Sequence, residues 1–543
     1  MAGTARKFVR VTKFLLAGVT VFCVSWIASV NEWHASVRWS DRHTSLGRLS
    51  TMRTIVAYSE GKQAEMDRPS PVGCDRLPDF PEVPLINRTW SPGIIRKSSW
   101  QQVAGTQVSL YAAYYDERTT QRYVRILASF HGRNYSAENE LYCQTRSLKP
   151  YENNVEVVAA KPLEIWWFEW DRSSTDVDTP LLLSCPLTEP LIGPSIVSVV
   201  TEPCDNPTNA FQLEPEEKTQ NRNFTICVKD MNFDKDISQS LVEWVETNKI
   251  LGADIIDVYV DKISKQTANV LQHYQDEGYI RLFDVPVSDE PGRSLWQRRR
   301  DHIITYNDCL YRNMRESTYV IPLDIDEIVL PKIAYTWPEL LIRLKHYGWD
   351  PKKYSAIMIK NVFFFDFMQK IRNNKNDDIN KRKNTLYVKR DAVRIEGSES
   401  IDIDQLKFID DNNFVLNANL DDKTILYKYK ARCHMDLPEP KLSRHIVSSA
   451  VISPIGFYSK SFMVTKKVLT AFNHYPLASL GTSGFTVWSA PFNEVQLNHY
   501  KESCNKTVVA ECGRYEERAR IDRTALRLRN NITRALATAI CIP

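Results

Sequence analysis

Three carboxylates fall within four positions at Asp324-Ile325-Asp326-Glu327, directly after the apolar run Tyr319-Val320-Ile321-Pro322-Leu323. In extended chain, Asp324 and Asp326 point to one side and Ile325 to the other. Carboxylates this close repel and raise one another's pKa, a cost that a hard divalent cation removes. Oxygen ligands select Mg²⁺ or Mn²⁺ over softer metals. Such an ion would hold a diphosphate and offset the charge that builds as a nucleoside diphosphate departs. The plain alternative is a capped turn, which uses the same residues and needs no ligand.

A cluster of this kind acts only where a fold holds it, and the preceding residues describe one. Phe224 to Val228 is a short apolar strand. Asp236 and Gln239 form a capping box for a helix whose apolar face is Ile237, Leu241, Val242, Val245 and Ile250, and Gly252 ends it. Asp254 to Val260 predicts a second strand. Val270, Leu271 and Tyr274 mark a helix stopped by Gly278, and Tyr279 to Val285 a third strand. A helix over Ser294 to Met314 leads to the fourth strand, Tyr319 to Leu323. This alternation implies a parallel sheet covered by helices, and such sheets bind ligands at the carboxyl ends of their strands. The acidic triplet lies at one of those ends. Asp261 follows the second strand, where it would read a nucleoside or sit solvated in a loop. Arg298 and Arg299 ride the helix before the motif, as fixed charges for a diphosphate or as ordinary surface residues.

Upstream, from about 95 to 201, short β-branched and aromatic runs (Val108 to Tyr115, Tyr123 to Phe130, Val155 to Ala160, Leu163 to Trp170) predict an antiparallel β-rich accessory domain. A Pro- and Glu-rich linker over 202–223 joins it to an α/β domain over 224–515, and 516–543 reads as a tail. At the other end, Phe14 to Val30 is an uncharged apolar run behind Arg6, Lys7, Arg10 and Lys13. It is long enough for a short transmembrane helix. The cationic residues 1–13 would stay cytoplasmic and send a stem, 31–94, and everything beyond it into the lumen. Cleavage as a signal peptide after Ala28 would put bulky Trp26 where a small residue is needed, so the segment reads as a retained anchor. A short span suits the thinner membranes of the early secretory pathway, and a single-pass type II protein of the Golgi membrane is the expected location.

Lumenal exposure fits two further features. Sequons occur at Asn87, Asn134, Asn223, Asn505 and Asn531. Of the 11 cysteines, Cys23 lies in the apolar run, and the remaining even number fits disulfides whose pairing the sequence does not reveal. A net charge of +4 over 543 residues, with no zinc-finger spacing, gives no basis for nucleic-acid binding.

The chain resembles glycosyltransferase family 92. Cys227-Val228, Leu241-Val242-Glu243-Trp244 and Leu251-Gly252-Ala253-Asp254 are similar to the opening of its catalytic domain. Asn307-Asp308-Cys309-Leu310-Tyr311-Arg312, followed by Leu323-Asp324-Ile325-Asp326-Glu327, is similar to its central signature. Lys460-Ser461-Phe462, Asn473-His474-Tyr475-Pro476 and Asn498-His499-Tyr500-Lys501 resemble its closing motifs, and Leu110 to Asp116 its upstream β region. The resemblance implies a GT-A fold, Rossmann-like, with a nucleotide-sugar donor and an inverting transfer. It further implies β-linked galactose, from UDP-galactose, added to fucose of N-glycan cores. It makes His499 the candidate third metal ligand beside Asp324 and Asp326, with His474 as the alternative. Asp324 would contact the donor ribose or reach the metal through water. Inversion needs a carboxylate base on the face opposite the leaving group, for which Asp366 and Glu494 are the candidates by position. Phe363-Phe364-Phe365-Asp366 departs from the family's more Gly-containing stretch, and Ile371 to Asn384 is a charged insertion. Both bear on the acceptor.

Two classes of function therefore stand. One is a Mn²⁺- or Mg²⁺-dependent hexosyltransferase acting on a glycan of a glycoprotein or glycolipid. The other is a catalytically inactive, lectin-like lumenal protein that keeps the fold. An unrelated metal phosphohydrolase is a more distant third.

Overall fold

The computed structural model describes residues 72–541 apart from 75–77, 85–87, 93–98, 137–139, 148–154, 172, 214–220, 287–292, 370–384, 389–390, 396–419, 439, 482–486 and 505–511. The expected anchor, most of the stem, Asn87, Asn505 and the 371–384 insertion lie outside the described residues. Among the described residues no helix is long and apolar enough to cross a membrane.

Four parallel strands form the heart of the downstream half: β1 (Arg222–Asn232), β2 (Ile255–Lys262), β3 (Ile280–Asp284) and β4 (Ser317–Pro322). Helices α1 (Ser238–Leu251), α2 (Lys265–Asp276) and α3 (Leu295–Asn313) connect them in turn. The strand order is β3-β2-β1-β4, so the winding reverses between β1 and β4. That switch point is where an open α/β sheet leaves a crevice for a ligand. Beyond β4 the sheet continues antiparallel through Lys460–Val464 to Ala356–Ile359, with Val487–Ser489 at its edge.

The buried strand residues are the apolar ones the runs predicted. Phe224, Ile226, Val228, Ile256, Val258, Tyr319 and Ile321 share one core with Leu241, Val242 and Val245 of α1. Gly252 closes α1 at φ 106° with its N–H bonded back to the Asn248 and Lys249 carbonyls. A side chain there would be strained at that φ and would meet Pro338 at 3.1 Å. Asp236 sits one residue before the cap position, yet it still accepts the Ser238 N–H at 3.0 Å. Ser294 caps α3 by accepting from Gln297.

A short strand β5 (Glu327–Pro331) follows the acidic turn at once. It pairs antiparallel with β7 (Val495–Lys501), which pairs parallel with β6 (Asn361–Phe365). In this register Glu327 and Phe363 both lie beside His499. A histidine 172 places downstream in sequence thereby reaches the acidic turn.

The upstream residues build two antiparallel sheets. Gln101–Gln102, Val108–Asp116, Arg122–His131, Asp178–Leu187 and Lys161–Glu164 make one; Val155–Ala159, Tyr142–Ser147, Ser195–Val200 and Phe211–Leu213 make the other. They face each other across a core that includes Leu110, Ile126, Leu183 and Val197, and Cys143–Cys185 links the sheets. Three expectations change. The segment 202–223 is more than a linker, because Phe211–Leu213 completes the second sheet. Leu163 to Trp170 is not one strand: the chain leaves the sheet after Glu164 and ends in a 3₁₀ turn, Phe168–Trp170. Nor is 516–543 a loose tail. Ala525, Leu528, Ile532 and Leu536 are buried in the α/β core, the last two on helix α4 (Arg529–Thr538), and Cys541 bonds to Cys433. Their apolar spacing suits a helix docked by one face.

Candidate active site

The acidic turn leaves β4 at the switch point. Leu323 still donates to the Cys227 carbonyl of β1, and Cys227 is itself bonded to Cys309 of α3. The turn is therefore fixed from both sides. Asp308, next to Cys309, is fully buried and accepts from the Tyr114 and Tyr259 hydroxyls and from Arg312. Asn307 clamps the Ala471 backbone with both ends of its amide. The Asn307–Arg312 run is thus a clasp joining the β sandwich, β2 and α3, and it places the site without entering it.

Two lysines meet Asp324. Lys229 Nζ, from the end of β1, lies 3.1 Å from Oδ2, and Lys460 Nζ lies 3.2 Å from the same oxygen. Lys460 is buried and also reaches Glu327 at 3.2 Å and Asn473 at 3.1 Å. Burial opposes charge on Asp324, but Lys229 and Lys460 outweigh it and hold the carboxyl well below its usual range. Burial pushes Glu327 up, against the pull of Lys460. Glu327 also accepts the Asp324 N–H at 3.0 Å, which ties the turn to itself.

Asp326 is different. Its side chain is 41% exposed, and its nearest ionic partner is His499, Nε2 to Oδ2 at 3.3 Å. Burial opposes its ionisation and His499 offsets this, leaving the carboxyl below its usual range. The other ring nitrogen, Nδ1, faces Glu327 at 3.5 Å and is buried without a hydrogen-bond partner. A carboxylate behind a histidine whose far nitrogen faces another carboxylate is the arrangement that orients metal-binding imidazoles. Among the described residues no three His, Cys, Asp or Glu side chains converge as a complete metal cage. Asp326 and His499 are the two side chains that would hold an ion at this turn.

Around this pair, basic groups line the carboxyl ends of β1 and β2. Arg298 lies 3.0 Å from Asp230, which His302 also contacts at 3.1 Å. Asp230 Oδ1 is buried without a partner. Asp261 accepts from Asn232 at 2.7 Å and from Arg293 at 2.6 Å. Arg293 continues to Asp301 at 2.7 Å.

A family model, glycosyltransferase family 92, matches residues 222–534. The chain belongs to glycosyltransferase family 92. No curated protein sequence matches it. The match takes in the switch point, the acidic turn, His499 and most of α4, and it begins where the β sandwich ends.

Against this family 92 framework the sequence candidates separate. Asp326, His499, Asp324, Asp261 and Arg298 converge on one end of the sheet. Asp324, the other expected metal ligand, is paired with the Lys229 and Lys460 ammoniums. Glu494, one of the two candidate bases, stands apart from the Asp326–His499 pair. It precedes β7 and lies beside Pro331, at the far end of β5, roughly 16 Å along the ladder from His499. There it receives Arg343 at 2.7 and 2.9 Å and the Tyr347 hydroxyl. His474, the alternative ligand, has both ring nitrogens engaged. Nδ1 meets the Ser459 carbonyl at 2.8 Å, Nε2 faces Asn473, and burial pulls its pKa down to about 3.

Asp366 follows β6, one step beyond the Phe365–Lys501 pair and roughly 10 Å along the strand from His499. His445 and Lys441 hold it at 2.8 and 3.2 Å. Arg299 turns away from Asp230 and packs on Trp296 at 4.5 Å. The sequons Asn134, Asn223 and Asn531 are exposed. Sequence reasoning missed Lys229, Lys460 and Asn473. Lys460 and Asn473 stand in quoted motifs, and their type was the available signal: each is a polar residue placed within or beside an apolar strand.

Proposed function

We propose that this family 92 glycosyltransferase moves galactose from UDP-galactose to a hydroxyl of a glycan, the fucose of N-glycan cores, with inversion at the anomeric carbon. The observation that carries this reading is the Asp326–His499 pair at the β1/β4 switch point, with Asp324 held ionised beside it by Lys229 and Lys460. Mn²⁺ or Mg²⁺, bound by Asp326 and His499, would supply charge neutralisation for the departing diphosphate.

The chain's own residues do the rest. Asp324, oriented and ionised, accepts from a ribose hydroxyl of the donor. Lys229 and Arg298 present positive charge to the diphosphate from the ends of β1 and α3. Asp261 lies on the nucleoside side. Of the two sequence candidates for the base, Asp366, ionised beside His445, stands nearer His499 than Glu494 does.

Five disulfides, Cys74–Cys204, Cys143–Cys185, Cys227–Cys309, Cys433–Cys541 and Cys504–Cys512, use all ten cysteines beyond Cys23. Together with exposed sequons they support a lumenal, oxidising location, and we place the protein in the Golgi membrane as a single-pass type II protein.

The test is hydrolysis of UDP-galactose by the full-length, detergent-solubilised protein with Mn²⁺, and its acceleration by a core-fucosylated N-glycan. Glycan binding with no donor cleavage would support the lectin-like reading instead.

A further inference from the structure

A second set of side chains starts from the same centre, and nearly all of it is aromatic. The Phe363 ring lies 5.0 Å from His499 and 5.4 Å from Tyr458. Tyr458 continues to His474 at 6.4 Å, and His474 meets Trp170 at 5.9 Å, edge to face. Trp170 also packs on Phe472 at 4.8 Å. The path therefore starts at a proposed metal ligand and ends on the 3₁₀ turn Phe168–Trp170 of the upstream β sandwich.

Three details mark this as more than core packing. Trp170 and Tyr458 are only partly buried, whereas Phe363 and Phe472, which pack against them, are fully covered. Tyr458 has φ 53°, a left-handed conformation that costs a bulky residue energy and clusters at functional sites. Arg299 is stacked on Trp296 at 4.5 Å, on the helix that also carries Arg298, and makes no ion pair among the described residues.

We infer that Trp170 and Tyr458, with Arg299 at their edge, form the platform on which the acceptor glycan lies, so that the β sandwich supplies part of the acceptor site. The inference rests on the transferase reading above. A pyranose ring offers an apolar C–H face that suits an aromatic surface, and hydroxyls that suit the Tyr458 hydroxyl and the Arg299 guanidinium. A diphosphate would be served by the lysines, and an aromatic surface offers it nothing. Trp170 and Tyr458 here are substrate-contacting residues for binding, without a part in bond making.

The experiment compares full-length wild-type protein, Trp170→Phe and Trp170→Ala in two assays with Mn²⁺: hydrolysis of UDP-galactose alone, and transfer to a core-fucosylated N-glycan. Hydrolysis should agree within about twofold in all three. The acceptor KM should rise about tenfold in Trp170→Ala, the size expected from loss of one aromatic stacking contact, and return most of the way in Trp170→Phe. An unchanged acceptor KM in Trp170→Ala overturns the platform. So does parallel loss of hydrolysis and transfer, which would make Trp170 a support for His474. If wild type neither hydrolyses nor transfers, the transferase reading fails. Quenching of tryptophan fluorescence by the same glycan then decides the platform separately: quenching lost in Trp170→Ala keeps it, and quenching retained overturns it.

Discussion

Lys460 places its ammonium 3.2 Å from Asp324 and 3.2 Å from Glu327, and it does so from a strand 136 residues away in sequence from Asp324. Within the acidic turn, Asp324 is thus paired with two ammoniums and Asp326 with His499.

Removing that ammonium should unsettle the fold. Lys460→Met leaves Glu327 buried without its cation and Asp324 with Lys229 alone. Breaking one side of a buried pair costs about 3–5 kcal/mol. Chemical denaturation should show a loss of that size, and a loss below about 1 kcal/mol would mean that Lys460 is dispensable to the turn.

Glu494 should behave as structure. Glu494→Gln disturbs a bidentate partner of Arg343 and should lower the melting temperature. Turnover of the folded fraction should stay within about threefold, because no group acting on the acceptor proton is removed. A fall of about a hundredfold in kcat with unchanged stability would restore Glu494 as a base.

Acid should destabilise the protein through two buried histidines, opposed in part by Asp301, whose carboxyl burial raises to about 6. Burial pulls His302 down to about 4 and His474 to about 3, while the unfolded residues take up protons near pH 6.5. Between those values the unfolded state binds more protons. The stability these residues contribute is therefore complete above pH 6.5 and is lost as pH falls toward 4 and 3. By pH 5 the loss is about 2 kcal/mol for each. Unfolding midpoints measured from pH 7.5 to 4.5 should fall on this limb, and His474→Gln should flatten it. A midpoint independent of pH across that window would contradict the buried, neutral histidines.

Deleting residues 516–543 should abolish soluble expression. It strips Leu528, Ile532 and Leu536 from the core and leaves Cys433 unpaired. Loss of large buried side chains costs about 2–5 kcal/mol each, beyond the stability of an ordinary domain. A folded, monomeric truncated protein would show that these residues are peripheral.

The four parallel strands and three helices were legible because each carries its own periodicity and punctuation. Gly252 and Gly278 stop helices where the apolar pattern runs out, and the acidic triplet announces itself by spacing. The His499 contact needed more, since only strand register brings residue 499 beside Glu327, and a motif resemblance stood in for that geometry. The place of Glu494 was hidden for the same reason: proximity in sequence to His499 becomes a separation of several residues along an extended strand. The C-terminal helix carried a readable signal in Ile532 and Leu536, overshadowed by the charged residues around it. Trp170 looked like strand because aromatic and β-branched residues serve a sheet and a surface platform equally well.

The central claim is that Asp326 and His499 hold the ion that neutralises the departing diphosphate. Asp326→Asn keeps the side chain's shape and removes its charge. Turnover of UDP-galactose at saturating Mn²⁺ should fall about 10²–10³-fold, with Mn²⁺ binding by electron paramagnetic resonance weakened and the melting temperature unchanged or raised. Normal turnover and normal Mn²⁺ binding in folded Asp326→Asn protein would contradict it.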